Sequence, residues 1–224
     1  MKARKIGIIG GTFNPIHYAH LLIAENAREQ FGLDRVIFIP TGISYMKQDN
    51  DIPSGDIRYQ MVKIAIEGNP YFTCSRIEMD REGYTYTVDT LKELQKMYPG
   101  DKLYFIMGED SLRNLDTWHD YEEIFKLATI LVTKRRNDDT SEIKKLISDF
   151  TKNNKAHIKE IISPEMEISS SVIREKISSG KSVRYLLPED VAEYIAVKNL
   201  YSPSSIKNSI NEEGEENERL RVWF

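Results

Sequence analysis

The chain has 224 residues, 40% of them hydrophobic and 29% charged, which is the composition of a folded globular protein with a sizeable core. Its formal net charge of −4 provides no general basic surface for a nucleic-acid backbone, so long nucleic acid is not an expected partner. One cysteine, Cys74, excludes a disulfide framework, and without a signal-like start or an apolar stretch of about 20 residues the chain is expected in a reducing cytoplasm, away from membranes.

Short apolar runs alternate with helical patterns from the start of the chain. Six runs are predicted to be strands, at residues 5–10, 35–40, 71–77, 102–107, 129–133 and 157–162. Five segments between them are predicted to be helices, at residues 17–31, 57–67, 87–98, 121–127 and 141–152. Continuous apolar strands that alternate with helices are typical of an α/β fold, a doubly wound parallel sheet with helices on both faces. Cys74 is expected to be a buried residue of the third strand.

The chain beyond the sixth strand predicts a small helical C-terminal part. One helix is expected to end at Gly180 and another to begin near Pro188. With the sheet, they are expected to form one main domain over residues 1–201. Residues 202–224 are dominated by Ser, Asn and Glu until a final Val-Trp-Phe, and they are expected to be a mobile, polar and acidic tail. A segment that docks on a partner or another subunit is the alternative for this tail.

The densest chemistry follows the first strand, where the sequence is GGTFNPIHYAH from Gly10 to His20. Gly10 and Gly11 let the backbone approach a ligand closely, and the helix that follows offers free N–H groups and the positive end of its dipole. This combination predicts a phosphate site at the turn. It is neither a Walker loop, which needs a Gly-Lys-Ser/Thr, nor a G-x-G-x-x-G dinucleotide fingerprint.

His17 and His20 are three residues apart, so on a helix they share one face and can point to one ligand. A zinc site is the weaker interpretation, because the spacing is not H-E-x-x-H and no third ligand is evident nearby. Neutral or protonated imidazoles can instead donate hydrogen bonds to phosphate oxygens whose charge grows in a transition state. We therefore expect the pair to be catalytic.

The turn segment closely resembles the GGTFDPIHxGH signature of the nucleotidyltransferases related to class I aminoacyl-tRNA synthetases. Two positions depart from that signature, Asn14 for the usual Asp and Ala19 for the usual Gly. Asn keeps a capping oxygen while losing the charge, and Ala adds one methyl group, so a phosphate turn remains the expectation. The backbone N–H groups of Thr12 and Phe13 are expected to assist at the α-phosphate of ATP.

A second signature, ISSSVIR at residues 168–174, leads into a predicted helix. Serines at a helix start cap the helix or hold phosphate, and Arg174 projects from the first turn toward the same region. By itself, serine capping with a solvated arginine would be the favoured interpretation. The segment is nearly identical to the ISSTxIR motif of the same superfamily. That resemblance implies contacts to ATP, and to its β- and γ-phosphates, from Ile168, Ser170, Ser171 and Arg174.

Three further segments resemble the nicotinate mononucleotide adenylyltransferases in particular. In YTYTVDTL, the resemblance implies that Thr85 and the neighbouring Tyr86 line a pyridine pocket. In MGEDSL, it implies that Gly108 and Asp110 hold the ribose of ATP. In LDTWHDYEEI, it implies that Trp118 supports binding of nicotinate, although core packing is an equal alternative for a tryptophan.

Two basic residues are further candidates for phosphate contacts. Lys47 aligns with a family lysine that normally stands in a P-P-H-K context, which is missing here. Arg136 follows the fifth predicted strand, where a solvated loop arginine is an equal alternative. His119 and His157 carry no spacing signal and are expected to be ordinary residues.

The resemblance covers about residues 4–201 and implies a Rossmann-like enzyme that transfers AMP from ATP to nicotinate mononucleotide. The products would be deamido-NAD and pyrophosphate, and Mg²⁺ would accompany ATP. A related enzyme acting on phosphopantetheine or glycerol phosphate is one alternative, and a non-catalytic nucleotide sensor is another. The sequence leaves open whether nicotinate or nicotinamide mononucleotide is preferred, with the acid favoured by the bacterial-type motifs. It also leaves open whether a homo-oligomer forms.

Overall fold

The structure is a computed structural model that describes residues 2–42, 52–133, 140–164 and 166–202. Lys47, Arg136 and the tail from residue 203 onward lie outside the described residues. Six parallel strands form one sheet in the order β3-β2-β1-β4-β5-β6. The strands are β1 Lys5–Gly11, β2 Arg35–Pro40, β3 Phe72–Cys74, β4 Lys102–Gly108, β5 Ala128–Thr133 and β6 Ile158–Ile161.

Helices alternate with these strands, and two further helices follow the last strand. They are α1 Tyr18–Phe31, α2 Gly55–Ala65, α3 Thr87–Met97, α4 Glu109–Arg113, α5 Tyr121–Leu127, α6 Thr140–Asn154, α7 Ser170–Ser178 and α8 Glu189–Val197, with a 3₁₀ turn at Leu115–Thr117. The five predicted helices and the two C-terminal ones are confirmed. The short α4 and the 3₁₀ turn were not predicted, because five and three residues are too few to show a helical period. No helix in the described ranges is both long enough and apolar enough to cross a membrane.

Both faces of the sheet are buried, which explains why its strands are continuously apolar. Successive side chains of a strand point to opposite faces, so Ile8 and Ile9 of β1 lie on different sides, and both are buried. The same holds for Phe105 and Ile106 of β4. One face packs against α3, α5 and α6 in a single apolar cluster. The predicted α/β sheet is therefore confirmed.

The third strand is shorter than predicted. Its ladder ends at Cys74, and the N–H of Ser75 makes one further bond to the carbonyl of Phe38. The hydroxyl of Ser75 then accepts from the N–H of Ile77, a local turn that competes with sheet pairing. The prediction of a strand over residues 71–77 was therefore wrong beyond Cys74. The same edge position leaves Cys74 half-buried rather than buried.

The described chain divides into two compact units that are interleaved in the sequence. The first unit holds the sheet and comprises residues 2–11, 22–42, 69–133 and 140–164. The second comprises residues 12–21, 52–68 and 166–202, with α2 packed against α8. Its core contains Ile16, Met61, Ile173, Val191 and Ile195. One main domain over residues 1–201 stays a prediction.

Within the first unit, the strand order reverses between β1 and β4. The chain runs from β1 outward to β2 and β3, and the later strands lie on the other side of β1. Open α/β sheets bind ligands outside the carboxyl ends of the strands at such a reversal. Ile9 pairs with Ile106, so Gly11 and Gly108 stand two residues further along adjacent strands. The glycines predicted to approach ATP are therefore neighbours at this edge.

Replacing Gly42 with Ala is expected to destabilise the chain by about 1–3 kcal/mol, because the new methyl group has no room. A Cβ at Gly42 would lie 2.2 Å from the carbonyl oxygen of Glu78, which is backbone and cannot rotate away. Urea unfolding measures the change. Gly10→Ala is the matched control, since its nearest neighbour would be Phe105 at 3.9 Å. Equal stability of the two variants would contradict the close approach.

Candidate active site

The turn between β1 and α1 is held through its backbone carbonyls. Three side chains donate to three of them: Nη1 of Arg58 to Thr12 at 2.9 Å, Nη1 of Arg174 to Asn14 at 2.8 Å, and the hydroxyl of Ser170 to Pro15 at 2.8 Å. Phe13 stands in the left-handed region with φ 49°, where a side chain other than glycine is strained. The three donors thus stabilise a backbone that the sequence of the turn would not favour alone.

Asn14 is buried and makes a contact that the sequence did not suggest. Its Oδ1 accepts a hydrogen bond from the hydroxyl of Tyr201 at 2.6 Å. Burial raises the pKa of that hydroxyl, so it stays a donor. The side-chain oxygen expected to cap the following helix therefore anchors the turn to the end of the second unit.

His17 and His20 come together as predicted. Their rings are stacked with centroids 3.7 Å apart, and the N–H of His17 donates to Nδ1 of His20 at 3.2 Å. The edge of Phe13 approaches His20 with centroids 5.1 Å apart. Because Nδ1 of His20 accepts a hydrogen bond, the proton of the neutral ring is on Nε2. His20 is thus set up as a hydrogen-bond donor through Nε2.

Burial makes both imidazoles neutral at physiological pH. It lowers the pKa of His17 to about 4, and this side chain is 5% exposed. His20 is half-buried, and its ring contacts those of Phe13 and His17. Its pKa is lowered by desolvation first and by the nearby His17 second. Nδ1 of His17 is buried without a hydrogen-bond partner among the described residues, which leaves it available to a ligand.

The three serines before α7 have three different roles. Ser169 is the N-cap, accepting from the N–H of Val172 at 3.3 Å, and its Oγ lies 3.0 Å from that of Ser171. Ser170 bonds the turn, and Ser171 is exposed at the helix start. Ile168 lies half-buried just before the cap. The structure brings Ser170 and Arg174 to the turn, whereas the hydroxyl of Ser171 bonds that of Ser169 instead.

The ribose candidates lie at the end of β4 in the first unit. Gly108 precedes α4, and a Cβ there would meet nothing closer than Thr133 at 3.9 Å, so the backbone is open on that side. Asp110 is exposed in the first turn of α4. Its side chain is not the N-cap, which is Gly108. A carboxylate in this place is accessible to ribose hydroxyls.

The pyridine candidates lie on two segments of the first unit that touch each other. The ring of Tyr86 lies against that of His119, with centroids 4.5 Å apart. Trp118, half-buried, presents its edge to Phe105 at 6.2 Å and packs on the apolar cluster. Thr85 is buried at the start of the same segment as Tyr86. His119, which had no spacing signal, therefore contacts a predicted pocket residue.

The sequence did not indicate that the carboxyl group of Glu78 is buried against α3, the helix that follows Tyr86. Glu78 accepts from the hydroxyl of Thr90 at 2.9 Å, and Arg81 donates to that same hydroxyl at 3.1 Å. Burial raises the pKa of Glu78, against the opposing effect of its hydrogen bond with Thr90. Glu78 directly follows the run of residues 71–77 that was predicted to be a strand, so only its charge at the end of that run could have indicated a special role.

Comparison with known proteins gives consistent results. A family model described as cytidylyltransferase-like matches residues 8–176. A protein of Desulfitobacterium hafniense (strain Y51), named as a probable nicotinate-nucleotide adenylyltransferase, is 43% identical over 202 residues that cover 88% of this chain and 96% of that protein. One of the same name from Lachnoclostridium phytofermentans is 42% identical over 198 residues, covering 88% and 99%.

Solved structures show the same fold at lower identity. The nicotinic acid mononucleotide adenylyltransferase of Plasmodium falciparum, complexed with NaAD, superposes with a TM-score of 0.73 at 21% identity, covering 88% of this chain and 97% of that one. A putative nicotinate-nucleotide adenylyltransferase of Vibrio parahaemolyticus gives a TM-score of 0.62 at 21% identity, covering 88% and 95%. These two similarities concern the fold alone.

The stability of the chain is expected to fall as the pH falls from about 6.5 to about 4. His17 has a lower pKa folded than unfolded, so the unfolded chain binds more protons in this window. The loss is about 3 kcal/mol for His17, and His20 adds to it with the same sign. Urea unfolding at a series of pH values measures the slope. His17→Gln should flatten it, and an unchanged slope in that variant would contradict the assignment.

Proposed function

The chain belongs to the cytidylyltransferase-like proteins and, among them, to the nicotinate-nucleotide adenylyltransferases, and from that we propose that it transfers AMP from ATP to nicotinate mononucleotide. The observation that carries the proposal is the stacked, neutral His17–His20 pair beside the β1 turn, in a chain 43% identical to such an enzyme over nearly its whole length. The products are deamido-NAD and pyrophosphate.

The chemistry needs no nucleophile from the protein. An oxygen of the 5′-phosphate of nicotinate mononucleotide forms a bond to the α-phosphorus of ATP, and the bond from that phosphorus to the bridging oxygen breaks. Pyrophosphate carries away the electron pair. Catalysis is then positioning and electrostatic stabilisation of the charge on the α-phosphate. Because Nδ1 of His20 accepts a hydrogen bond, its neutral ring keeps the Nε2–H, which donates to that charge.

The other predicted site residues of the β1 turn and α7 are assigned to the phosphate groups of ATP. At the end of β1, Gly10 and Gly11 allow close approach of ATP, and the N–H groups of Thr12 and Phe13 bind phosphate. Pyrophosphate is bound from α7, where Ile168, Ser170, Ser171 and Arg174 start the helix. Arg174 donates to Asn14 here, so it exchanges a carbonyl for a phosphate oxygen when ATP binds. Such an exchange favours phosphate, because its oxygens are charged.

The first unit supplies the contacts to the sugar and the pyridine. Gly108 and Asp110 hold the ATP ribose, with the Asp110 carboxylate accepting from its hydroxyls. Thr85, Tyr86 and Trp118 bind nicotinate mononucleotide. Lys47 and Arg136 remain predicted phosphate contacts outside the described residues.

Mg²⁺ is proposed to enter as part of the ATP substrate. In the described part of the chain, no three His, Cys, Asp or Glu side chains are grouped to hold a metal ion. Mg²⁺ prefers oxygen ligands and keeps several waters, so the phosphate oxygens of ATP suit it. Bound there, it neutralises phosphate charge. A cytoplasmic location and the oligomeric state stay predictions.

The substrate is tested by measuring pyrophosphate release from ATP and Mg²⁺ with nicotinate mononucleotide, nicotinamide mononucleotide and phosphopantetheine side by side. We expect the nicotinate form to be turned over best. Faster release with phosphopantetheine would keep the chemistry and overturn the substrate. ATP binding without release from any of the three would favour a nucleotide sensor.

His20→Ala is expected to lower kcat by about 10²–10³-fold, as removal of a donor to developing charge does in other enzymes. KM for nicotinate mononucleotide should change little, since the lost bond forms with the α-phosphate of ATP. His157→Ala is the matched control, because that side chain is exposed and carries no proposed role. A kcat within twofold of the control value would remove His20 from the catalytic group.

A further inference from the structure

We propose that Arg58 is a positioning residue, which orients the Thr12–Phe13 peptide group so that the N–H of Phe13 is presented to ATP phosphate. The inference rests on the proposed function, because it assigns that N–H to phosphate. No motif in the sequence pointed to Arg58. It acts through the backbone of the turn rather than by touching the reacting atoms.

Arg58 is buried, and its guanidinium is bound to two backbone carbonyls. Nη1 donates to Thr12 at 2.9 Å, and Nε donates to Pro53 at 3.1 Å. The residue is 5% exposed, which is unusual for an arginine that has no structural task. Two carbonyls that accept from one planar guanidinium fix both its place and its orientation.

The element that carries Arg58 is itself well fixed. The hydroxyl of Ser54 caps α2 by accepting from the N–H of Ile57, and the N–H of Arg58 bonds the carbonyl of Ser54 in the first turn. Further along, α2 packs against α8 within the second unit. The guanidinium therefore reaches the turn from a helix whose position is set by packing.

Fixing the Thr12 carbonyl also fixes the Phe13 amide. The two belong to one planar trans peptide group, in which the C=O and the N–H point in opposite directions. While Arg58 holds the carbonyl, the N–H of Phe13 faces away from Arg58. Rotation of this peptide group by half a turn would instead present the carbonyl oxygen, which repels phosphate.

The need for such a restraint comes from Phe13 itself. Its φ of 49° is a strained conformation that persists where the surroundings hold it. Its side chain is buried and its ring makes an edge-to-face contact with that of His20, which restrains the residue on the other side of the peptide group. Arg58 and the Phe13 ring thus restrain the same backbone segment from both ends.

The test compares Arg58→Gln and Arg58→Lys with the control Arg28→Gln. Arg28 also donates hydrogen bonds through its guanidinium, but its acceptors are the Glu25 and Glu29 carboxylates in the first unit. ATP affinity is measured by calorimetry without the pyridine substrate, and kcat and both KM values by pyrophosphate release. Thermal unfolding of each variant checks that it is folded.

For Arg58→Gln we expect a loss of ATP affinity of about tenfold or more, the range for losing a bond to a charged donor, with KM for nicotinate mononucleotide within about twofold. Arg58→Lys should recover part of the affinity, because one ammonium can still reach the Thr12 carbonyl. Arg28→Gln should bind ATP as the unchanged chain does.

Two results would overturn the proposal. One is ATP affinity and kcat in Arg58→Gln within twofold of the Arg28→Gln values. The other is an equal loss for both substrates in parallel with lowered thermal stability, with no recovery in Arg58→Lys, which would show a general structural role. Should Arg58→Gln fail to fold, the ATP affinity of Arg58→Lys is compared with that of Arg28→Gln. Values within twofold of each other would then overturn the proposal. If the unchanged chain binds ATP but releases no pyrophosphate, the proposed reaction fails, and the ATP affinities still decide the role of Arg58.

Discussion

The second unit depends on how the carbonyl groups of one short turn are satisfied. Buried backbone carbonyls need donors, and in this turn the donors are side chains of α2 and α7 rather than other parts of the turn. Each such bond also sets the direction of the peptide group that it holds. The same turn has a left-handed backbone at Phe13 and leads into the stacked pair of His17 and His20.

The charges of this region are divided between two kinds of residue. Burial keeps the histidines neutral, so they contribute hydrogen bonds without adding positive charge. The positively charged side chains that bond this turn are those of Arg58 and Arg174. Asn14 is neutral where an aspartate would have placed a carboxylate among these groups. Position 14 therefore adds no negative charge beside Arg174, which donates to its carbonyl.

Much of the fold was accessible from the sequence, because burial on both faces makes the strands continuously apolar and the intervening helices are amphipathic. The end of β3 could not be predicted from the sequence, since it depends on a local hydrogen bond of the Ser75 hydroxyl. For the site, the histidines and the α7 serines were found by motif. Arg58, Glu78 and Tyr201 were missed because they bind backbone or neutral groups, and such contacts leave no pattern in one sequence. The substrate contacts themselves stay predictions.

The bonds around the turn join parts of the chain that are far apart in sequence. Ser170 is 155 residues from Pro15, Arg174 is 160 from Asn14, and Tyr201 is 187 from Asn14. Contacts of such separation require closure of long loops, which costs conformational entropy that local contacts do not. During synthesis on the ribosome, the first strand and the turn emerge long before α7 and Tyr201. The nascent chain therefore cannot complete the bonds that hold this turn until translation has passed residue 201.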